Sequence, residues 1–197
     1  KFPTKHSFEK DQALFEEGVF FSKLPNELSC NNVVTFDTVN SSNSQRYLND
    51  LKPDLGIVFG TGKIDNNIIR IFKHGLINVH RGMIEKYRGL DSDLWAIYHD
   101  DYENIGVTIH MVDEGLDTGD IIYQETLTLH QELKTYKIRC YTTMIATNLV
   151  IKAINQYISN NLITIKQEKI GRYYSYMPSI MKDLVNLKFN KFCERLS

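Results

Sequence analysis

The sequence has few of the residues and segments that are typical of exported proteins, of proteins stabilised by a metal ion or of membrane-spanning proteins. Its three cysteines, Cys30, Cys140 and Cys193, lie far apart and form neither a CxxC pair nor a metal-finger spacing, which argues against a disulfide framework and a zinc site. No stretch approaches the roughly 18 uninterrupted apolar residues of a membrane span. The polar first residues lack the apolar core of a signal peptide. These absences predict a soluble protein in a reducing, cytoplasmic setting.

An excess of charge of one sign is missing as well. Lysine and arginine total 23 residues and aspartate and glutamate 24, so the net charge is −1, and the basic residues are scattered along the chain. Proteins that bind nucleic acids or membrane surfaces concentrate positive charge on one face. We therefore expect no nucleic-acid partner and no membrane partner. With 42% hydrophobic and 24% charged residues and no linker or repeat, residues 1–197 are predicted to form a single globular domain.

The first half of the chain alternates short apolar runs with helical segments. Residues 33–36 are β-branched and aromatic and predict a strand, and the polar stretch after them favours a helix near 43–51. Residues 55–60 form a continuous apolar run, typical of a central strand in a parallel sheet. A short helix that ends at Gly75 and a strand over residues 76–80 are expected next. Strand, helix and strand so close together imply a right-handed parallel crossover.

The second half continues this alternation. Strands at residues 105–112 and 120–125 are joined by a short turn, so they are expected to pair antiparallel. Helical spacing of apolar residues predicts one long helix from Leu133 to Ile158 that packs on the sheet. The sequence thus predicts the α/β class, as a Rossmann-like, mostly parallel twisted sheet with helices on both faces and an antiparallel strand at the end. Ligands of such sheets gather at the carboxyl ends of the strands.

Shorter segments complete the expected order. A loop should follow His80, and a helix through Trp95 and Tyr98 is expected to start at Asp91 or Ser92. Beyond the long helix, residues 162–166 predict a strand, and the tyrosine-rich residues 171–178 either pack as an edge or line a pocket. The remainder is expected to be a tail.

Polar side chains that can take part in a reaction stand where two predicted strands end. Asn78 and His80 alternate across Val79, so their side chains project to the same side of a strand. Downstream, three carboxylates, Asp113, Glu114 and Asp117, occupy a tight turn at a strand end. Taken alone, an N-x-H triplet or an acidic turn more often has a structural role. The two patterns become informative only together.

Nucleotide hydrolysis and metal binding find no support in the sequence. Gly60 and Gly62 suggest a phosphate loop, but Ile57 stands where a Walker A motif needs its first glycine, and Ile64 replaces the motif's Ser or Thr. Four further histidines have no HExxH or paired ligand spacing, and one of them, His110, is expected to be a structural histidine within a strand. These four are His74, His99, His110 and His130. We predict no metal.

Residues 77–97 and 106–124 resemble, in order and spacing, the signature of the folate-dependent formyltransferases, and the resemblance extends over roughly residues 53–125. That family includes glycinamide ribonucleotide formyltransferase, methionyl-tRNA formyltransferase and sugar N-formyltransferases. The resemblance implies Asn78, His80 and Asp117 as the catalytic set, 10-formyltetrahydrofolate as co-substrate and a primary amine as acceptor. It also implies a folate pocket between two loops. The loop residues are Thr61, Gly62, Lys63 and Ile64 on one side and Val112, Gly115, Leu116 and Asp117 on the other.

The chemistry of formyl transfer accounts for these residue types. An amine that attacks a formyl carbonyl creates a tetrahedral oxyanion, which Asn78 can stabilise with an amide N–H and His80 with a ring N–H when it is protonated. A carboxylate beside an imidazole raises the imidazole pKa and can accept a proton directly or through water. Asp117 suits both tasks.

The acceptor is less well determined by the resemblance. The chain lacks the phosphate loop of glycinamide ribonucleotide formyltransferases before residue 33 and the length for the C-terminal domain of the tRNA enzymes. An amino sugar on a nucleotide carrier, used for polysaccharides, is therefore expected. The alternatives are a formyltetrahydrofolate hydrolase, a glycinamide ribonucleotide formyltransferase-like enzyme and an inactive folate-binding module.

Two departures from the family pattern accompany this expectation. His80-Arg81-Gly82 replaces a frequent His-Pro-Ser, and Glu85 stands where the family often has proline. Family members usually open with a strand and a glycine turn, so we expect some N-terminal residues to be missing from this chain. A homodimer is a further expectation from the family.

Overall fold

A computed structural model of the protein describes residues 7–22 and 32–196. Six helices and six strands order these residues. The helices are α1 (Ser7–Glu16), α2 (Ser42–Leu51), α3 (Asn66–Ile69), α4 (Ser92–Tyr98), α5 (Thr135–Ile158) and α6 (Ser179–Cys193). The strands are β1 (Gly56–Phe59), β2 (Leu76–Arg81), β3 (Tyr87–Gly89), β4 (Gly106–Met111), β5 (Ile121–Thr126) and β6 (Arg172–Tyr174). A π-helical turn (Glu17–Phe21) continues α1, and a 3-10 turn (Tyr102–Asn104) precedes β4.

The main sheet has the strand order β1-β2-β4-β5, and β3 and β6 form a separate parallel pair. The parallel pairing of β1 with β2 and the antiparallel pairing of β4 with β5 agree with the predictions. The expectation of a mostly parallel sheet is wrong for the described strands, because β4 also runs antiparallel to β2. The loop with β3 and helix α4 bring the chain back to the end of β2, where Gly82 N donates to Gly106 O at 2.7 Å.

The alternation of side chains along β2 determines the core. Ile77 and Val79 face α5, where they pack with Val107 and Ile109 of β4 against Ala146, Leu149 and Ala153. Full burial of an aliphatic side chain of this size contributes roughly 1.5–3 kcal/mol. Leu76 faces the other side and packs against Ile64 and Ile68, next to α3. Helices therefore cover both faces of the sheet, as predicted, and Asn78 and His80 share the face of Leu76.

Several predicted elements differ from the structure. Residues 33–36 have no regular secondary structure, and the predicted central strand is β1, at an edge of the described sheet with Ile57 and Phe59 half-exposed. Residues 162–166 contribute one bridge, Ile121 with Ile165, instead of a strand. The predicted tail contains α6, whose Val185 and Phe189 pack in the same buried cluster as Ala96 and Ile97 of α4. Cys140 and Cys193 are buried thiols, and Cys30 lies outside the described residues.

Two helix starts show how local chemistry positions the elements around the site. Ser41 caps α2, since its hydroxyl accepts a hydrogen bond from Ser44 N at 3.2 Å. Asp91 occupies the cap position of α4, as predicted, but its carboxylate accepts from Met177 N at 2.9 Å instead of capping the helix.

No helix in the described ranges is long and apolar enough to cross a membrane.

Candidate active site

The site lies at the carboxyl end of β2, where the strand register brings four polar side chains together. Asn78 stands directly opposite His110 of the antiparallel strand β4. The Asn78 side-chain amide donates one N–H towards His110 Nε2 at 3.0 Å and the other towards Asp117 Oδ1 at 3.2 Å. Both hydrogens of this amide are therefore engaged within the site.

Asp117 reaches the site from the turn between β4 and β5. Its carboxylate is nearly buried and accepts a hydrogen bond from Gly89 N at 2.9 Å on Oδ2. The turn is shaped by Asp113, whose carboxylate accepts from Gly115 N and from the Thr118 hydroxyl. Gly119 is required because a Cβ there would lie 1.8 Å from the carbonyl oxygen of Met111.

The pKa of Asp117 lies below its ordinary value although its side chain is buried. Burial alone would raise this pKa, but the rings of His110 and His80, when they carry a proton, and the N–H of Gly89 stabilise the ionised form and together outweigh it. Asp117 is therefore a carboxylate at neutral pH. The distances from its two oxygens to His110 Nε2 and His80 Nδ1 are both 3.6 Å.

His80 differs from the sequence expectation. Its ring is buried, with Nε2 at 2.8 Å from Tyr87 O and 3.3 Å from the Ser92 hydroxyl. Burial lowers its pKa, and the opposing effect of Asp117 is smaller. Asp117 raises this pKa, as expected, but burial of the ring, which is not visible in the sequence, lowers it by more. A neutral His80 that donates Nε2–H to Tyr87 O presents an unprotonated Nδ1 to Asp117.

His110 is the polar group of the site that the sequence pattern did not predict there. Its ring is 2% exposed, Nδ1 lies 2.7 Å from Met111 O and Nε2 faces Asn78. With Nδ1–H donated to that carbonyl, Nε2 accepts the hydrogen bond from Asn78 and fixes the orientation of its amide. Its hydrogen bonds are satisfied, as expected of a structural histidine, but they orient a candidate catalytic side chain. The signal for this role is the pairing of β4 with β2, which the sequence pattern alone does not reveal.

A pocket opens beside these side chains. Two loops form it, and every residue named above as a candidate folate contact lines it. Its lining consists of Val58, Thr61, Gly62, Lys63, Ile64, Asn78, His110, Val112, Asp113, Gly115, Leu116 and Asp117. His80 lies outside this lining and meets the other site residues through Asp117. The pocket has a concave wall of mixed polar and apolar groups, as small-ligand sites do.

The first loop of the pocket is held by Asn40, a residue that the sequence pattern indicates only as part of a polar turn. Its side-chain amide donates to Lys63 O at 3.0 Å and accepts from Asp65 N at 3.0 Å. These two bonds fix the backbone on both sides of Ile64. In the ranges that the structure describes, no group of His, Cys, Asp and Glu side chains is arranged to hold a metal ion.

Comparison with known proteins identifies relatives of this chain. A methionyl-tRNA formyltransferase of Thermodesulfovibrio yellowstonii is 30% identical over 161 residues, which is 81% of this chain and 51% of that protein. The chain spans about half the length of the curated relatives it matches.

Solved structures share the fold. PseJ of Anoxybacillus kamchatkensis, a formyltransferase in complex with UDP-4,6-dideoxy-4-formamido-L-AltNAc and tetrahydrofolate, matches 96% of this chain and 90% of its own, with a TM-score of 0.57 and 23% identity. WlaRD, a sugar 3N-formyl transferase in the presence of dTDP and 5-N-formyl-THF, matches 65% of this chain and 47% of its own, with a TM-score of 0.53 and 27% identity. These likenesses confirm the predicted fold class. The model of the formyl transferase family matches residues 9–154, and the chain belongs to that family.

Proposed function

We propose that this protein transfers the formyl group of 10-formyltetrahydrofolate to a primary amine. The observation that carries the proposal is the wall of the pocket, where Asn78, His110 and a carboxylate, Asp117, converge beside two loops. Acyl transfer needs a hydrogen-bond donor for an oxyanion and a group that accepts a proton. Asn78 and Asp117 provide these functions within 3.2 Å of each other.

The proposed reaction moves one formyl group and one proton. The amine nitrogen attacks the formyl carbon, and the tetrahedral oxyanion is stabilised by an N–H of Asn78 that leaves its present partner, either His110 Nε2 or Asp117 Oδ1. The amine then loses a proton to Asp117, directly or through water, and the bond from the formyl carbon to the folate nitrogen breaks. That nitrogen takes up a proton, so a formamide and tetrahydrofolate leave the site.

His80 supports this proton transfer from a position next to Asp117 and outside the pocket lining. Its Nδ1 faces Asp117 across 3.6 Å and is unprotonated when the ring donates Nε2–H to Tyr87 O. A proton that arrives on Asp117 can be shared with this nitrogen once the two groups move within hydrogen-bond distance. The role of a neutral His80 is therefore to accept and return a proton, and not to carry a permanent charge.

The two pocket loops support a folate donor. Thr61, Gly62 and Lys63 on one side and Val112 and Leu116 on the other provide backbone groups and apolar surface for a flat ring system. WlaRD, which is 27% identical in its matched part, was crystallised in the presence of 5-N-formyl-THF. This relative favours a reduced folate as the group that occupies the pocket.

We further propose that the acceptor is an amino sugar on a nucleotide carrier. WlaRD is a sugar 3N-formyl transferase and was crystallised with dTDP. The curated relatives are methionyl-tRNA formyltransferases, and their similarity makes the initiator tRNA the second candidate acceptor. The scattered positive charge of this chain favours the small acceptor, because a tRNA partner requires a basic face.

A transfer assay with 10-formyltetrahydrofolate distinguishes these outcomes. Nucleotide-linked 3- and 4-amino sugars, glycinamide ribonucleotide and charged initiator tRNA are offered separately, with a reaction without amine and the His80→Ala variant as controls. A product heavier by one formyl group on an amino sugar supports the proposal, and formylation of the tRNA alone overturns the acceptor. Loss of donor at equal rates with and without amines indicates a hydrolase. An unchanged donor with retained folate binding indicates an inactive binding module.

A further inference from the structure

A segment that lies beyond the family-model match, residues 165–174, crosses the turn that carries Asp117. We call this segment the strap. It begins at the bridge between Ile165 and Ile121, where two backbone hydrogen bonds of 2.7 and 2.8 Å join it to β5. It ends in β6, which pairs in parallel with β3. The strap therefore connects the two segments that hold the Asp117 carboxylate, the turn after β4 and the loop with Gly89.

The backbone of Asp117 requires such support. Asp117 has a φ of 54°, in the left-handed region that residues with a Cβ rarely adopt. Such conformations persist when surrounding contacts fix them. In this conformation of the turn the carboxylate accepts hydrogen bonds from the Asn78 amide and from Gly89 N, so a group that fixes the turn also fixes the direction of the carboxylate.

Gln167 of the strap binds this turn directly. Its side-chain amide donates to Gly119 O at 2.8 Å and to Asp117 O at 3.3 Å. The Gln167 Oε1 atom is buried and has no hydrogen-bond partner. An unpaired buried oxygen is unfavourable, so the favourable contribution of this amide comes from the two carbonyls to which its nitrogen donates.

Arg88 forms the second connection between the strap and the turn. Its guanidinium donates from Nε to Gly171 O at 2.6 Å and from Nη1 to Leu116 O at 3.0 Å. Leu116 immediately precedes Asp117, so the strap and the turn share one rigid, planar donor group. Gly171 allows this approach, because a Cβ there would lie 2.4 Å from Ile84 O.

Glu85 anchors the middle of the strap. One oxygen of its carboxylate accepts from Glu168 N at 2.6 Å and from Lys169 N at 3.4 Å. The strap is thus also held to the segment that precedes β3.

We infer that the strap holds the Asp117 carboxylate in its working direction, with Gln167 and Arg88 as positioning residues for the proposed formyl transfer. The inference rests on the proposed function of Asp117 and adds Gln167, which lies outside the family-model match, to the catalytic arrangement. An alternative role is simple packing of a chain edge. The two differ because a positioning residue acts through Asp117, whereas edge packing affects stability without regard to that carboxylate.

The first test observes the histidines directly and does not depend on turnover. Gln167→Met removes both N–H donors at similar volume, and Gln131→Met, at an exposed glutamine, is the matched control. The His80 ring is titrated by ¹⁵N NMR in both variants, in the wild type and in Asp117→Asn. Because the Asp117 charge raises the pKa of His80, we expect Gln167→Met to move this pKa down, in the direction of Asp117→Asn. A His80 titration identical to wild type in a folded Gln167→Met protein overturns the inference.

The second test is a double-mutant cycle on turnover. Gln167→Met and Arg88→Met should each lower kcat about 10- to 100-fold, the usual effect of misplacing a reacting group by about 1 Å, while KM for the donor changes less than about threefold. In the Asp117→Asn background, Gln167→Met should change kcat less than about twofold. Full additivity of the two substitutions overturns the positioning role.

Two outcomes that would obscure these tests have their own controls. If Gln167→Met does not fold, Glu85→Leu releases the strap at Glu168 and Lys169 instead, and the same shift of the His80 titration is expected. If the wild type transfers no formyl group to any acceptor, the proposed function fails while the NMR comparison still decides whether the strap orients Asp117.

Discussion

The Nδ1 atom of His80 lies 3.6 Å from the Oδ2 atom of Asp117, and the two side chains are only 5% and 9% exposed. This separation is too long for a hydrogen bond but short enough for a strong charge interaction in a poorly solvated site. The pKa of His80 nevertheless lies below its ordinary value of 6.5, because burial outweighs the carboxylate. The pair is therefore a carboxylate beside a neutral ring, ready to receive a proton.

The first prediction concerns the charge state of this pair. His80 should titrate below pH 6.5 in the ligand-free wild type, and Asp117→Asn should lower the midpoint further, since the substitution removes the charge that raises it. Titration of the ring by ¹⁵N NMR measures both values. The resonances of His130, an exposed histidine after β5, should be unaffected by the substitution and serve as the internal reference. A midpoint that rises in Asp117→Asn would contradict this account of the site.

The second prediction concerns turnover. Asp117→Asn should reduce kcat by several orders of magnitude, because the amide cannot accept the proton, while folate binding weakens much less. Single-turnover kinetics and a direct binding titration separate the two effects. Glu114→Gln is the matched control, because Glu114 is an exposed acid of the same turn. Equal losses in folate affinity and kcat would assign Asp117 to binding instead.

The linear pattern of the sequence predicts those features that depend on neighbouring residues. The alternation around Val79 places Asn78 and His80 on one side of β2, and helical spacing predicts α5 within a few residues of its observed ends. The same spacing rule also applies to α6, because its buried residues Val185, Phe189 and Cys193 recur every four positions. The prediction of a tail for this segment was wrong although the helical period is present in its sequence.

The sequence pattern does not predict features that depend on the pairing of strands or on the burial of side chains. The opposition of His110 to Asn78 follows from the register of β4 on β2, which involves residues 32 positions apart. The lowered pKa of His80 follows from burial contributed by segments distant along the chain. The two hydrogen bonds from Asn40 to the Lys63 loop join residues 23 and 25 positions apart. Sequence patterns indicate the candidate reacting groups, whereas their charge states and the contacts that hold them require the fold.

The third prediction concerns the pocket. Gly62 lines it, and a Cβ at this position would meet no atom within 4 Å, so the fold tolerates a side chain there. Gly62→Leu should therefore leave thermal stability nearly unchanged while the new side chain occupies the space of the ligand and weakens folate binding at least about 10-fold. Gly18→Leu, at a glycine that is equally unobstructed and outside the pocket lining, is the control. Normal folate affinity in Gly62→Leu would place the folate elsewhere.

The fourth prediction concerns stability and depends on Asp93, in the first turn of α4. Its side chain is buried, one carboxylate oxygen has no hydrogen-bond partner, and burial raises its pKa to about 7 even though Arg81 and Gly106 N lower it. The folded protein therefore holds a proton that the unfolded chain releases at an ordinary aspartate pKa. Because the folded state binds more protons, its stability falls as the pH rises from about 4 through about 7.

Asp93→Asn should remove this dependence, because the amide does not ionise. At about 1.4 kcal/mol per pH unit, the unfolding free energy of the variant relative to wild type should rise by about 2 kcal/mol between pH 5 and pH 7, measured by urea unfolding. The comparison uses the change with pH, since the absolute difference also includes the loss of a charge partner for partly buried Arg81. Asp37→Asn, at an exposed aspartate, should show a constant difference from wild type. A constant difference for Asp93→Asn as well would mean that Asp93 is already ionised in the folded protein at pH 5, and that Arg81 compensates its burial.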